Sequence, residues 1–160
     1  MEIEIKKMET DGEIAGKAYV HWKSWQEAYK GLVDAAYLEA LTLEKCTAAA
    51  FKYPGNTLVA KAGEKVVGFC AYGEGRVEDL PGAGEIYALY VLPEYCGTGI
   101  GMALMDAGLE KLEGKRAFVR VLKNNARAIR FYEKCGFVRD GFEQELVIGT
   151  PVTVIRMVRG

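Results

Sequence analysis

The chain has 160 residues, enough for one domain (1–160) that buries roughly two thirds of the surface its unfolded form exposes. It is 50% hydrophobic and 27% charged, without long polar tracts, which excludes disordered and fibrous classes. Twenty-one basic residues against twenty-two acidic ones leave none of the basic footprint that a phosphate backbone requires, so nucleic acid is excluded as a partner.

The start, Met1 to Lys7, alternates charged and apolar residues and lacks the apolar core of a signal peptide. No later stretch reaches membrane-spanning length, so a cytoplasmic protein with no membrane partner is expected. Cys46, Cys70, Cys96 and Cys135 form no C-x-x-C pair and the chain has one histidine, so reduced thiols are expected, with neither a zinc site nor a disulfide framework.

Ile3 and Ile5 alternate with charges as in a first strand. Glu13 to Lys30 then carries Ile14, Ala18, Trp22, Trp25 and Tyr29 at three- and four-residue steps, the pattern of an amphipathic helix that Gly31 can end. Asp34 to Phe51 reads as one or two further short helices. Thr57 to Ala62 and Val66 to Tyr72, joined by Gly63-Glu64-Lys65, predict an antiparallel hairpin. After a Gly- and Pro-containing loop, Glu85 to Leu92 is a strand apolar on both faces, stopped by Pro93.

A glycine turn, Cys96-Gly97-Thr98-Gly99-Ile100-Gly101, then feeds a helix to about Leu112, and Ala117 to Leu122 forms the next strand. Asn125 caps a helix running to about Lys134 and closed by Gly136. Strands near Phe137 to Val147 and Val152 to Val158 finish the chain.

Alternating glycines ahead of a helix let the backbone turn tightly and aim free N–H groups outward at the positive end of the helix dipole, an arrangement suited to a diphosphate. Steric relief alone explains such glycines equally well. The Walker loop is excluded because Gly101 is followed by Met102 rather than Lys and Ser or Thr. The dinucleotide fingerprint is excluded because position 102 is not glycine and Val121-Leu122-Lys123 closes its strand without an acidic residue for ribose.

Tyr90 to Gly101 resembles the acetyl-CoA signature Gln/Arg-x-x-Gly-x-Gly/Ala of the GNAT-superfamily N-acetyltransferases, with Cys96 at the Gln/Arg position. Asn125-Ala126-Arg127-Ala128-Ile129-Arg130-Phe131-Tyr132-Glu133-Lys134-Cys135-Gly136-Phe137 is similar to the family's second signature, N-x-x-A-x-x-x-Y-E-K-x-G-F. The resemblance covers the chain loosely before residue 55 and tightly from 84 to 137. It implies an α+β fold with a mixed, mostly antiparallel seven-stranded sheet, about four helices and the order β-α-α-β-β-β-α-β-α-β-β.

The resemblance also implies an N-acetyltransferase that uses acetyl-CoA, needs no metal, and acts on a primary amine of a small molecule or protein. A propionyl or succinyl donor and a homodimer are left open. Residues Cys96, Gly97, Thr98, Gly99, Ile100, Gly101 and Met102 are expected to hold the diphosphate. With Cys96 at the Gln/Arg position and Thr98 where many relatives carry Lys or Arg, the turn has no basic side chain and must do so largely through backbone N–H groups. The strand carrying Leu89, Tyr90 and Val91 is expected to bulge away from its neighbour, so that its unpaired backbone groups hold the thioester oxygen and pantetheine arm, with Asn125 hydrogen-bonding the cofactor as well as capping its helix.

Tyr132 matches the tyrosine that reaches the CoA sulfur, and a phenol with a reference pKa of about 10 is a proton donor at neutral pH. Glu85 stands at the spacing of the family's glutamate base, with a backbone and water route as the alternative. Trp25 and Tyr29 are expected to flank the acceptor. Direct attack is expected rather than an acetyl-cysteine on Cys96 or Cys135, because nothing places His21 beside a thiol. The competing reading is a non-catalytic acyl-CoA sensor or regulatory module.

Overall fold

The structure, a computed structural model, describes residues 2–160. After strand β1 (Ile3–Lys7), helix α1 (Asp11–Ala28) starts at a capping box. Thr10 Oγ1 accepts from the Glu13 N–H at 3.1 Å, and Glu13 Oε1 accepts from the Thr10 and Glu9 N–H groups at 3.1 and 2.8 Å. Glu13 is buried, and its carboxylate also accepts from Lys6 Nζ at 2.7 Å and Lys61 Nζ at 3.2 Å. Lys6 above all, with these backbone donors, holds the carboxyl well below the usual range, so the charge that caps α1 also ties it to two strands.

Two further helices precede β2, α2 (Ala35–Ala40) and α3 (Leu43–Lys52), the upper of the one or two short helices expected over Asp34 to Phe51, so the chain opens β-α-α-α. The break has a local cause. Leu41 is extended, at φ −80° and ψ 96°, and Thr42 Oγ1 accepts from the Lys45 N–H at 3.2 Å, starting a new helix. The helix α1 stripe of Ile14, Ala18 and Trp22 packs against α3 through Cys46 and Ala50, while Gly16 and Val20 of the same helix meet the sheet.

Strands β2 (Thr57–Ala62), β3 (Lys65–Glu74), β4 (Gly84–Val91), β5 (Ala117–Leu122), β6 (Val138–Ile148) and β7 (Thr150–Arg159) complete a seven-stranded sheet in the order β1-β2-β3-β4-β5-β7-β6. Every neighbouring pair is antiparallel except β4 and β5. Helices α4 (Ile100–Lys111) and α5 (Ala126–Lys134) follow β4 and β5. Helix α4 lies so close to the sheet that a Cβ on Gly108 would stand 2.7 Å from Cys70 Sγ.

The position of the site follows from β4. Its ladder with β3 shifts register between Ala71↔Ala88 and Tyr72↔Ile86, leaving Tyr87 as the extra residue of a bulge. On its other edge it pairs with β5 only at Gly84↔Ala117 and Glu85↔Phe118. Beyond Glu85 the two parallel strands part, and the β4 edge from Ile86 to Val91 faces the gap.

Candidate functional site

At the open end of that gap, β4 runs through a short 3₁₀ turn (Pro93–Tyr95) into the glycine turn. Gly97 and Gly99 have φ of 80° and 88°, in the left-handed region that favours glycine, and nothing lies within 4 Å of where a Cβ would stand on either. The first bond of α4 runs from the Ala103 N–H to the Gly99 carbonyl at 3.1 Å. Among the described residues, the backbone N–H groups of residues 97 to 102 donate to no protein acceptor.

Both unusual side chains of the turn are directed back at their own segment. Cys96 Sγ donates to the Val91 and Leu92 carbonyls at 3.7 and 3.6 Å, and Thr98 Oγ1 donates to the Tyr95 carbonyl. Neither covers the free N–H groups, which a diphosphate fits. Gly101 has another reason to be glycine. A Cβ there would meet the Phe131 ring of α5 at 3.2 Å, so its absence lets the two helices close over the strand ends. Met102 is partly exposed, with Sδ 3.5 Å from Cys135 Sγ.

Asn125 is buried and its Oδ1 accepts from the Ala128 N–H at 3.2 Å, starting α5. Two turns on, the Tyr132 ring sits edge-on between Phe131 and Phe137, with centroids 5.6 and 6.0 Å away. Its hydroxyl bonds no protein group among the described residues. Burial pushes its phenol well above the ordinary value, with nearby Tyr29 adding to the shift.

Facing it from the C-cap of α1 and from β4, the Tyr29 and Tyr90 hydroxyls are 2.9 Å apart. Burial raises both phenols, so both remain protonated at neutral pH. Trp25 packs on Tyr29 with ring centroids 4.5 Å apart, and His21 stacks on Tyr90 at 6.3 Å. Burial, helped by the Lys17 charge, pushes His21 down to about 4, leaving it neutral at physiological pH.

Glu85 stands apart from this aromatic group, at the closed end of the gap, and is 1% exposed. Its Oε1 accepts from the Arg76 N–H and Nε at 3.1 and 3.2 Å, and its Oε2 from Arg76 Nη2 at 2.8 Å and Arg120 Nε at 3.4 Å. Both oxygens are thus committed to guanidinium groups. Sequence reasoning missed Arg76 and Arg120, because their approach depends on how the loop 75–83 folds over the sheet and no spacing records it. It also missed the Tyr29–Tyr90 pair, whose members are far apart in sequence. Among the described residues, no helix is long and apolar enough to cross a membrane, and no group of three His, Cys, Asp or Glu could hold a metal ion.

The sequence profile described as "Acetyltransferase (GNAT) family" matches residues 17–137. An uncharacterized N-acetyltransferase of Archaeoglobus fulgidus is 37% identical over 116 residues, covering 66% of this chain and 76% of that protein. The mycothiol acetyltransferase of Kineococcus radiotolerans is 36% identical over 98 residues, 60% of this chain but only 31% of that protein. The chain therefore spans about a third of the length of the mycothiol enzyme that it matches. Among solved structures, the PaiA N-acetyltransferase of Thermoplasma acidophilum in complex with coenzyme A superposes with a TM-score of 0.74 at 23% identity, over 98% of both chains, which shows a common fold. With the profile spanning both signatures and the β4–β5 gap between them, the chain belongs to the GNAT acetyltransferase family.

Proposed function

We propose that this chain transfers the acetyl group of acetyl-CoA to a primary amine, by direct attack in a ternary complex. The observation that carries this reading is the row of unpartnered N–H groups at residues 97 to 102, placed at the N-terminus of α4 and continuous with the free β4 edge. These N–H groups, from Gly97 through Thr98, Gly99, Ile100 and Gly101 to Met102, would hold the diphosphate, with Cys96 shaping the turn. The Leu89, Tyr90 and Val91 backbone would hold the pantetheine arm and the thioester oxygen. Bound acetyl-CoA supplies an acyl group already activated as a thioester.

The residues of the chain then manage protons and position. Tyr132 holds a proton on its hydroxyl for the departing sulfur. Trp25 and Tyr29 border the acceptor opposite Tyr132. Asn125 keeps α5, and with it Tyr132, in register. Burial pushes the Cys135 thiol up to about 11, which supports direct attack over a thiolate route.

With both oxygens of Glu85 engaged, the amine loses its proton to water along the open strand edge. Accordingly, Glu85→Gln is expected to leave the pH–rate profile unmoved while lowering stability by about 1–3 kcal/mol, because a hydrogen-bonded charge partner of Arg76 is lost. A displaced acidic limb in that variant would instead assign the base to Glu85.

Release of free CoA from acetyl-CoA, measured across a panel of primary amines, tests the function itself. Acceptor-dependent release is expected. Tight CoA binding with no release from any acceptor would favour a sensor of acyl-CoA.

A further inference from the structure

Three arginines converge on the sheet face that carries α1. Arg120 and Arg156 are directly opposite on β5 and β7, and Arg76 reaches in from the loop 75–83. Like charges set side by side repel, so each needs an acceptor. Arg156 is fully served: Nη1 and Nη2 donate to the two oxygens of Asp79 at 2.8 Å each, and Nε donates to Asp140 at 2.6 Å. Arg76 grips Glu85 through Nε and Nη2.

Arg120 is different. Its one contact is from Nε to Glu85 Oε2, at 3.4 Å, and that oxygen already accepts from Arg76 at 2.8 Å. Among the described residues, its Nη1 and Nη2 have no acceptor, although the side chain is only 27% exposed. A guanidinium carries its donors in a planar fork that matches a carboxylate, and Nη1 and Nη2 of Arg120 remain open to solvent and free to take one.

The fork also lies beside the gap. Strand alternation puts Phe118, Arg120 and Leu122 on one face. Phe118 packs under the loop cluster of Val77, Leu80 and Ala83, and Leu122 packs with Trp25 and Tyr29. Arg120 stands between those two clusters. Arg120 follows the last β4–β5 pair, Glu85↔Phe118, by two residues, and its Nε reaches Glu85 Oε2, so the fork lies toward the closed end of the gap, where Glu85 is four residues or about 13 Å along the strand from Leu89.

We propose that the Arg120 fork binds a carboxylate of the acceptor, so that the acceptor class is a primary amine bearing a carboxylate several bonds from its nitrogen. This rests on the acetyltransferase reading above. An α-amino acid is too short to reach from the thioester level to Arg120, whereas an ω-amino acid spans the interval with its amine at the reaction centre and its carboxylate on the fork. The bidentate pair then gives Nη1 and Nη2 of Arg120 the acceptor that they lack among the described residues.

The experiment measures acetyl transfer to α-alanine, γ-aminobutyrate and ε-aminocaproate beside alkylamines of matched length, for the intact chain and for Arg120→Gln and Arg120→Lys. The chain is expected to prefer an ω-amino acid over its matched alkylamine by about 10–100-fold in kcat/KM, mainly through KM, in line with the worth of a charged hydrogen-bonded pair. Arg120→Gln should bring that ratio close to one, and Arg120→Lys should restore part of it. Titration with CoA should give the same affinity in all three proteins, which separates loss of the fork from loss of the fold. Alkylamines used as well as ω-amino acids, or a preference that survives Arg120→Gln, would overturn the inference and leave the acetyltransferase reading standing. CoA bound but released from no acceptor would overturn both.

Discussion

Tyr132→Phe is expected to lower kcat by roughly 10²–10⁴-fold, the usual worth of a positioned general acid, without changing the affinity for CoA. The ring is held by Phe131 and Phe137, contacts that phenylalanine reproduces, so the variant should fold and bind as the parent does. The hydroxyl it lacks bonds no protein group among the described residues, so its removal orphans none of them. Burial raises the phenol above its ordinary value, so its proton stays in place through neutral and moderately alkaline pH. The working form is the protonated one, and activity would fall only as pH passes the raised folded-state value. Tyr132 therefore contributes no alkaline limb within an ordinary assay range, and the loss on substitution should be the same at pH 7 and pH 9. Steady-state rates with any accepted amine check this; a variant of full activity removes Tyr132 from the mechanism.

The second large effect is expected at Gly99. It starts α4 at φ 88° and ψ −4°, where a β-branched side chain is strained by at least about 1–2 kcal/mol. In a domain of this size each kcal/mol lowers Tm by about 2–4 °C. Gly99→Val should therefore melt several degrees lower, and its Cβ branches would occupy the open space over the free N–H groups. A loss of tenfold or more in CoA affinity is expected, equivalent to about 1.4 kcal/mol or more. Gly114→Val supplies the control, since Gly114 has φ 72° with open space around it but follows α4 at the opposite end from the glycine turn. It should cost similar stability and leave CoA affinity unchanged. Equal affinities in the two variants would mean that the turn is glycine-rich for backbone reasons alone.

The extent to which all this could be read from sequence differed by element, for physical reasons. Thr57–Ala62, Ala117–Leu122 and Ala126–Lys134 have the bounds that their composition indicates, because turn glycines and an Asn cap mark their ends locally. Helix α1 was harder. Its aromatic stripe suggests one buried face, but the helix is buried on two, with Ile14, Ala18 and Trp22 against α3 and Gly16 and Val20 against the sheet. A single stripe cannot describe a helix between two layers. Strand β6 is exposed along most of its length and bulges over residues 140–142, opposite Arg156, so period-two alternation carried little information there.

The site divides along the same line. The backbone geometry of the glycine turn and the Asn125 cap was legible because each is a local motif, whereas Tyr132 was singled out only by its place in the second signature. The surroundings of Glu85 were not legible. Its residue type and spacing suggest a base, but its two arginine partners arrive from a loop and from the neighbouring parallel strand. The neutrality of His21 likewise follows from burial beside Lys17 and Phe69 rather than from anything adjacent in sequence.

The most direct test of the central claim is an amide N–H correlation spectrum recorded while CoA is added. If the diphosphate sits on the backbone of the turn, the N–H resonances of residues 97 to 102 should shift most, followed by those along the β4 edge from Leu89 to Val91, while those of β1 and β6 stay in place. Saturable CoA binding that leaves residues 97 to 102 unshifted would contradict the account.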